Sequence, residues 1–257
     1  METVIPVEWL IPHKIANGWK FQCSTNLRNL VATNRAALFF RQLAILLEQD
    51  YHLVNFHLKI QHNRKKIDQL EIFVFCGDDH IEQEPEPVSI CSSCDVTHPL
   101  SQSTLLSEQQ YTYAWLDFRN RPKLILTPKR HIERLSELKD ENGEMEAFWY
   151  DTVEIIDREC DNINELIYPV LSLNHGTFRK HAHMHLKIDI SKDIWETKIV
   201  PRHKEKLDYL EQLLKQTELV SACFTERHLQ QEIQKGVIGN MNNELKQTDV
   251  QTKSISK

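Results

Sequence analysis

The ten residues HAHMHLKIDI (181–190) decide how the rest of this chain is read. In an extended strand successive side chains alternate faces, so His181, His183 and His185 share one face and Ala182, Met184 and Leu186 the other. The apolar face can pack on helices while the imidazoles meet solvent or substrate. Partly buried rings need hydrogen-bond or metal partners, because burying them unpaired costs free energy. Alternate residues lie ~7 Å apart and the outer pair roughly 13 Å, at ~3.3 Å rise per residue. Imidazoles so spaced on one straight strand cannot all ligate a single zinc at ~2 Å, although two neighbours can, so the row divides its labour. A lone histidine such as His57, His62 or His228 carries no comparable signal and reads as an ordinary satisfied or solvated side chain.

Working outward, YPVLSLN (168–174) is a second strand, and YTYAWLDF (111–118) and KLILT (123–127) are two more, joined by the polar turn RNRP. Between the two pairs lie PKRHIERLSEL (128–138), with Ile132, Leu135 and Leu138 at helical spacing, and ENGEMEAFWYDTVEIIDREC (141–160). The second segment puts Met145, Phe148, Trp149, Val153 and Ile156 on one helical face. Two strands, helices and two further strands predict an antiparallel sheet covered by helices, an α+β domain over 90–200.

Upstream, TNRAALFFRQLAILLEQ (33–49) predicts a helix capped by Thr33 or Asn34. VNFHLKI (54–60) and LEIFVFC (70–76) predict a hairpin across HNRKK, which makes 1–76 an α-plus-hairpin unit. An acidic stretch with two prolines, GDDHIEQEPEPV, marks a linker over 77–89. Residues 201–235 predict an amphipathic helical extension, with Leu207, Leu210 and Leu214 on its apolar side. The stretch 236–257 is rich in Asn, Gln, Lys, Ser and Thr and reads as a disordered tail.

Composition narrows the function classes. The 257 residues are 40% apolar and 26% charged, which suits an ordinary globular chain. A formal net charge of −6 removes the electrostatic case for a general nucleic-acid binder. Six glycines are few for a glycine-loop nucleotide fold. No apolar run is long enough to cross a bilayer, so no membrane partner is expected. The opening METVIPVEWLIPHK has neither the basic start nor the apolar stretch of a secretory signal. Six cysteines are too sparse for a disulfide scaffold, and only Cys91 and Cys94 form a close pair, so a cytoplasmic or nuclear setting is expected.

Together with two other segments, the row resembles the signature of the histidine-triad superfamily. HAHMHLKI matches its alternation of three histidines with apolar residues. LDFRNRPKLILTPKRHIERLSEL (116–138) resembles its strand, turn, strand and Pro-Lys-x-His segment, and CSSC (91–94) resembles the Cys-x2-Cys of zinc-containing members. The likeness covers roughly residues 90–190, in the family's order. It implies that His183 is a nucleophile that attacks an α-phosphorus to give a nucleotidyl-histidine, which water then hydrolyses. It implies that His185 hydrogen-bonds the phosphate oxygens, that Asp117 meets ribose hydroxyls, and that Leu116 and Phe118 wall the base pocket. In zinc-bearing relatives the metal is held by the Cys-x2-Cys pair, the histidine of Pro-Lys-x-His and the first histidine of the row. Carried over, that set is Cys91, Cys94, His131 and His181, a closed arrangement suited to structural zinc, with His98 as a competing ligand.

The sequence departs from the family pattern in two places. Lys187 stands where the signature carries an apolar residue and reads as a solvated lysine at a strand end, with a charge aimed at phosphate as the alternative. The segment NHGTFRK (174–180) is shorter than the glycine-rich loop of the small hydrolase members and closer to the decapping and aprataxin-like branches. Its candidate anion contacts are Asn174, Thr177, Arg179 and Lys180, while His175 reads as a turn histidine. The leading functional reading is a nucleotide hydrolase or nucleotidyltransferase acting at an α-phosphate through a covalent nucleotidyl-histidine. The alternatives are a catalytically weak nucleotide-binding adaptor with a structural zinc site, and a metalloenzyme using two adjacent row histidines. The expected partner is a small nucleotide, with nucleic acid entering only as an adenylated or capped end. Many relatives dimerise, which leaves a homodimer open.

Overall fold

Where apolar and polar residues alternate, the chain forms strands that bury one side. This is clearest in β3 (Phe56–His62), where Phe56, Leu58, Ile60 and His62 are buried and the residues between them are half-exposed. The computed structural model describes residues 11–77, 91, 93–139, 141–161, 163–179 and 183–216. His181, Lys180, most of the expected linker and the chain beyond 216 therefore lie outside the described residues. The chain divides into one unit over 1–210 and a second over 211–257, of which 211–216 is helical.

The first unit holds a nine-stranded antiparallel sheet. Its strands are β1 (Ile11–Ile15), β2 (Gly18–Cys23), β3, β4 (Leu70–Cys76), β5 (Leu105–Glu108), β6 (Thr112–Leu116), β7 (Lys123–Pro128), β8 (Val170–His175) and β9 (Leu186–Asp189). They lie in the order β1-β2-β4-β3-β8-β9-β7-β6-β5. The fold is thus the expected α+β class, with a large antiparallel sheet and helices. The division into an N-terminal unit and a separate catalytic domain is corrected by β3 pairing with β8, from Phe56↔His175 to Ile60↔Leu171. Both strands carry an apolar face, and pairing them buries both faces in one continuous core.

Four helices matter here: α1 (Leu27–Ala32), α2 (Ala36–Ile45), α3 (Pro99–Thr104) and α4 (Glu144–Glu159). The spacing read for 141–160 is realised in α4, which buries Met145, Phe148, Trp149, Ile155 and Ile156. Trp149 stacks on Phe40 of α2 with ring centroids 3.5 Å apart, locking helices from the two halves of the sheet together. The expected 33–49 helix is α2, and its side-chain cap is not realised. Asn34 sits at φ 54 and Arg35 takes the cap position without a side-chain hydrogen bond. The helix expected at 128–138 is also corrected: only Leu135–Glu137 forms a helical turn. The backbone there is committed elsewhere, since Lys129 N donates to Tyr111 O and Ile132 O accepts from Met184 N at 2.7 Å. The hairpin β1–β2 was absent from the sequence reading. After its Ala16-Asn17 turn, Gly18 opens β2 at φ 146, so close to Val74 O that a Cβ would lie 1.8 Å away.

Parity divides the chemistry. Leu171, Leu173, Leu186, Ile188, Leu124 and Leu126 are buried on the core side of the sheet. Asn174, Lys187, Ile125 and Trp115, at alternate positions, line a cavity on the other.

Candidate active site and metal centre

Four residues from three segments converge at the start of β9. Cys91 and Cys94 lie on a tight turn in which Cys91 O accepts from both Cys94 N and Asp95 N at 3.0 Å. His131 comes from the loop after β7, and His183 from the segment leading into β9. One donor atom from each of Cys91, Cys94, His131 and His183 lies within 4.8 Å of the others, a set that could hold a metal ion. The His183 Nδ1 to Cys91 and Cys94 Sγ distances are 3.3 and 3.4 Å, and His131 Nδ1 to Cys94 Sγ is 3.4 Å. A tetrahedral zinc with ordinary Zn–S and Zn–N bonds requires S···N edges of about 3.6 Å, so these residues fit the ion with little adjustment.

The protonation pattern supports that fit. Burial pulls the His183 imidazole down to about 4, helped by His131 and opposed by the Pro128 carbonyl, so the ring is neutral at neutral pH. Its Nε2 donates to Pro128 O at 2.8 Å, which leaves the Nδ1 lone pair facing the sulfurs. Burial and then Cys91 push the Cys94 thiol up to about 12, so the pair holds its protons until a cation supplies the compensating charge.

This geometry corrects the role expected of His183. The side chain is 1% exposed, and both ring nitrogens are committed, to a backbone carbonyl and to the thiols. It stands where His181 was expected in the metal set, and His181 itself lies outside the described residues. Residues 183–185 precede the regular strand, which begins at Leu186. His98, the competing ligand, is not in the cluster.

His185 therefore takes the place facing the cavity. Its Nδ1 bonds the backbone oxygen of His183. A carbonyl can only accept, so Nδ1 carries the hydrogen and Nε2 carries the lone pair. Nε2 lies 2.9 Å from Ser93 Oγ. The cavity, of about 380 Å³, is lined by apolar Trp115, Leu116, Ile125 and Phe178 and by four cations, Arg119, Arg121, Arg179 and Lys187. Asp117 is the one carboxylate among the described lining residues. In a chain of net charge −6, positive charge is concentrated around this cavity.

Of the expected contacts, Leu116, Asp117, Phe118, Asn174 and Arg179 line the cavity with His183 and His185, and Thr177 does not. Thr177 is exposed, and its backbone N–H donates to Asn55 Oδ1 at 2.7 Å. Asp117 is buried and already accepts from Arg119 N at 2.8 Å and from Arg121 Nε and Nη2 at 3.0 and 2.6 Å. Its first task is to hold the 117–121 turn and aim Arg121. Asn174 is held from the N-terminal half of the sheet by His57 Nδ1 at 2.6 Å, and Arg179 pairs with Glu133 at 2.6 Å. Lys187, read from sequence as solvated, lines the cavity half-buried. Burial lowers its pKa, reinforced by Lys123 and Arg121, a repulsion that a bound anion would relieve. Ser93, Arg119, Arg121 and Trp115 were missed as site residues, since none stands out by spacing alone.

No protein-family model and no curated protein matches the sequence. Among solved structures the chain is similar to one described as a uridylyltransferase, at 11% identity and TM-score 0.50, over 79% of this chain and 82% of that one. A GalT-like protein from Arabidopsis thaliana is similar at 10% identity and TM-score 0.48, over 70% and 67%. A HIT family hydrolase from Clostridium thermocellum matches at 19% identity and TM-score 0.34, over 42% of this chain and 95% of its own. The first of these carries the fold comparison. None of the described helices is long and apolar enough to cross a membrane. With its antiparallel sheet and covering helices, the chain shares the fold of that solved uridylyltransferase.

Proposed function

We propose that this chain is a nucleotide-acting enzyme that cleaves at an α-phosphate, with His185 as the nucleophile. The observation that carries the reading is the position of His185 Nε2, whose lone pair is set by the Nδ1–carbonyl bond beside a cavity rich in cations. In the first half-reaction a bond forms between Nε2 and the α-phosphorus, and the bond from phosphorus to the leaving atom breaks, an oxygen in an anhydride or a nitrogen in a phosphoramidate. The electron pair departs with that atom, and a leaving nitrogen takes up a proton from solvent. The imidazole, now bonded at Nδ1 to hydrogen and at Nε2 to phosphorus, carries a positive charge that the His183 carbonyl helps stabilise. In the second, water or another phosphate-bearing acceptor attacks phosphorus, the P–N pair returns to Nε2, and the acceptor's proton leaves to solvent.

Arg119, Arg121 and Lys187 supply charge to the phosphates, and Trp115, Leu116 and Phe118 offer apolar surface for a base. Cys91, Cys94, His131 and His183 would hold a structural zinc. That ion would fix the loop and the start of β9, and so the ring of His185, without meeting substrate. The likeness in fold to the solved uridylyltransferase is consistent with a nucleotide substrate.

The test is turnover of adenosine 5′-phosphoramidate, dinucleoside polyphosphates and UDP-sugars by the zinc-loaded chain, with and without an added sugar phosphate. Release of nucleoside monophosphate identifies a hydrolase, and transfer to the sugar phosphate a transferase. Absence of both from the whole panel contradicts the proposal and favours the nucleotide-binding adaptor.

A further inference from the structure

Ser93 has no part in the steps just given, yet its hydroxyl lies within hydrogen-bond distance of the atom that carries them. It is the third residue of Cys91-Ser92-Ser93-Cys94, so the turn that carries the two thiols also carries its hydroxyl. The side chain is buried at 8% exposure, lines the cavity, and places Oγ 2.9 Å from His185 Nε2. The Nδ1 hydrogen of His185 is committed to the His183 carbonyl, so Nε2 has no hydrogen to give and Ser93 is the donor. The lone pair that accepts this hydrogen bond is the pair that must attack phosphorus.

We infer that Ser93 is a catalytic residue of this site, a hydroxyl that guards the nucleophilic lone pair and then stabilises the phosphoryl group. The inference rests on the reading of His185 as nucleophile. As the P–N bond forms, Nε2 ceases to be an acceptor and the hydroxyl must turn to another. The nearest new acceptor is a non-bridging oxygen of the phosphorus now bonded to Nε2. The serine keeps its proton throughout. It gives up a hydrogen bond to nitrogen and makes one to oxygen as negative charge builds there, and the exchange reverses when the P–N bond breaks. A donor that gains its partner only as the reaction proceeds contributes to kcat and little to ground-state binding. Because position 93 lies between two members of the metal set, the turn that would bind zinc also sets the reach of this donor.

The experiment compares wild type, Ser93→Ala and Ser93→Thr, each zinc-loaded, with UDP-glucose and adenosine 5′-phosphoramidate. Expected for alanine is a loss on the order of 10²-fold in kcat and in the rate of covalent adduct formation, with KM nearly unchanged. Threonine, which retains the hydroxyl, recovers most of that loss, and zinc content is equal in all three. Independently of turnover, the 15N resonance of His185 Nε2 in the unliganded protein shifts in the alanine variant and not in the threonine variant. Unchanged kcat in Ser93→Ala overturns the inference, and so does a loss that tracks reduced zinc content. An acid-stable nucleotide adduct on Ser93 also overturns it, because a serine ester survives acid that cleaves a P–N bond and would make Ser93 the nucleophile. A wild type inert toward both substrates is distinguishable from these outcomes, since it removes the broader reading whatever the 15N shift.

Discussion

The two halves of the nine-stranded sheet share architecture and differ in what their outer faces do. Strands β3 and β4 alternate buried and half-exposed residues, as β9 does, and both halves of the sheet contribute buried apolar side chains to the core. On the outer face of the N-terminal half the charges are spent on one another. Glu71 accepts from Lys20 at 2.6 Å and from Gln61 and Asn63 at 3.2 Å. On the C-terminal half, four cations surround a cavity with one carboxylate among its described lining residues. The same backbone pattern therefore serves as plain scaffold in one half and, in the other, as the wall of a cavity in which Arg121 and Arg179 are held by Asp117 and Glu133. The halves touch chemically at His57, whose ring holds Asn174 in the cavity wall.

Four experiments sharpen that comparison. Replacing His185 by alanine is expected to have the largest effect, at least ~10³-fold in turnover, because no other described lining side chain presents an imidazole lone pair to the cavity. Steady-state assay on a turned-over substrate measures it, and retention of more than a tenth of the activity would place the nucleophile elsewhere. Phe40→Ala removes the stack that joins α2 to Trp149 and should cost about 3–5 kcal/mol in denaturant unfolding. Because β3 pairs with β8, that loss should appear in one cooperative transition of the first unit, while kcat per folded molecule stays level. Two separate transitions, only one of them shifted, would restore the division into independent domains.

Removing the metal from the zinc-loaded chain with a chelator should lower stability by about 2–4 kcal/mol, the linkage expected of a site held well above its dissociation constant. The same shift should follow from Cys91→Ser without chelator. An unchanged melting curve with no zinc recovered would reduce the cluster to two thiols and two rings in contact. Lys20→Met should do least, about 0–1 kcal/mol, since its pair with Glu71 is partly exposed and solvent-screened. A larger loss, or any change in kcat, would mean that the outer face of the N-terminal half is more than scaffold.

Much of the fold was legible because hydrophobic spacing is local information. The core face of α4 follows from the positions of Met145, Phe148, Trp149 and Ile156, and strands β3, β4, β6 and β7 follow from alternation. What alternation could not give was pairing. Nothing in VNFHLKI says that Leu58 will sit opposite Leu173, a contact between residues far apart in the chain. The β1–β2 hairpin carries a weaker signal, since Pro12 interrupts the first strand and the Ala16-Asn17 turn lacks the Asn-Gly pair.

In the site, the structure brings Cys91, Cys94 and His131, which the motifs group, within 4.8 Å of one another together with His183. Within the row, the structure brings His183 to the thiols, while His181 lies outside the described residues. Parity distinguishes faces, but which imidazole meets the thiols depends on long-range contacts such as Met184 N donating to Ile132 O. Ser93 was missed because a serine inside CSSC has no periodicity and becomes meaningful only when His185 lies beside it.

The central claim is that phosphorus is carried by His185 and not by His183. The direct measurement is acid quench of the zinc-loaded chain during turnover, rapid neutralisation, and peptide mass mapping of the trapped nucleotide. We expect an acid-labile nucleotidyl group on His185, with His183 unmodified. A nucleotide on His183 would contradict the account, because it would require a ring that here faces two sulfurs and a carbonyl to face substrate instead.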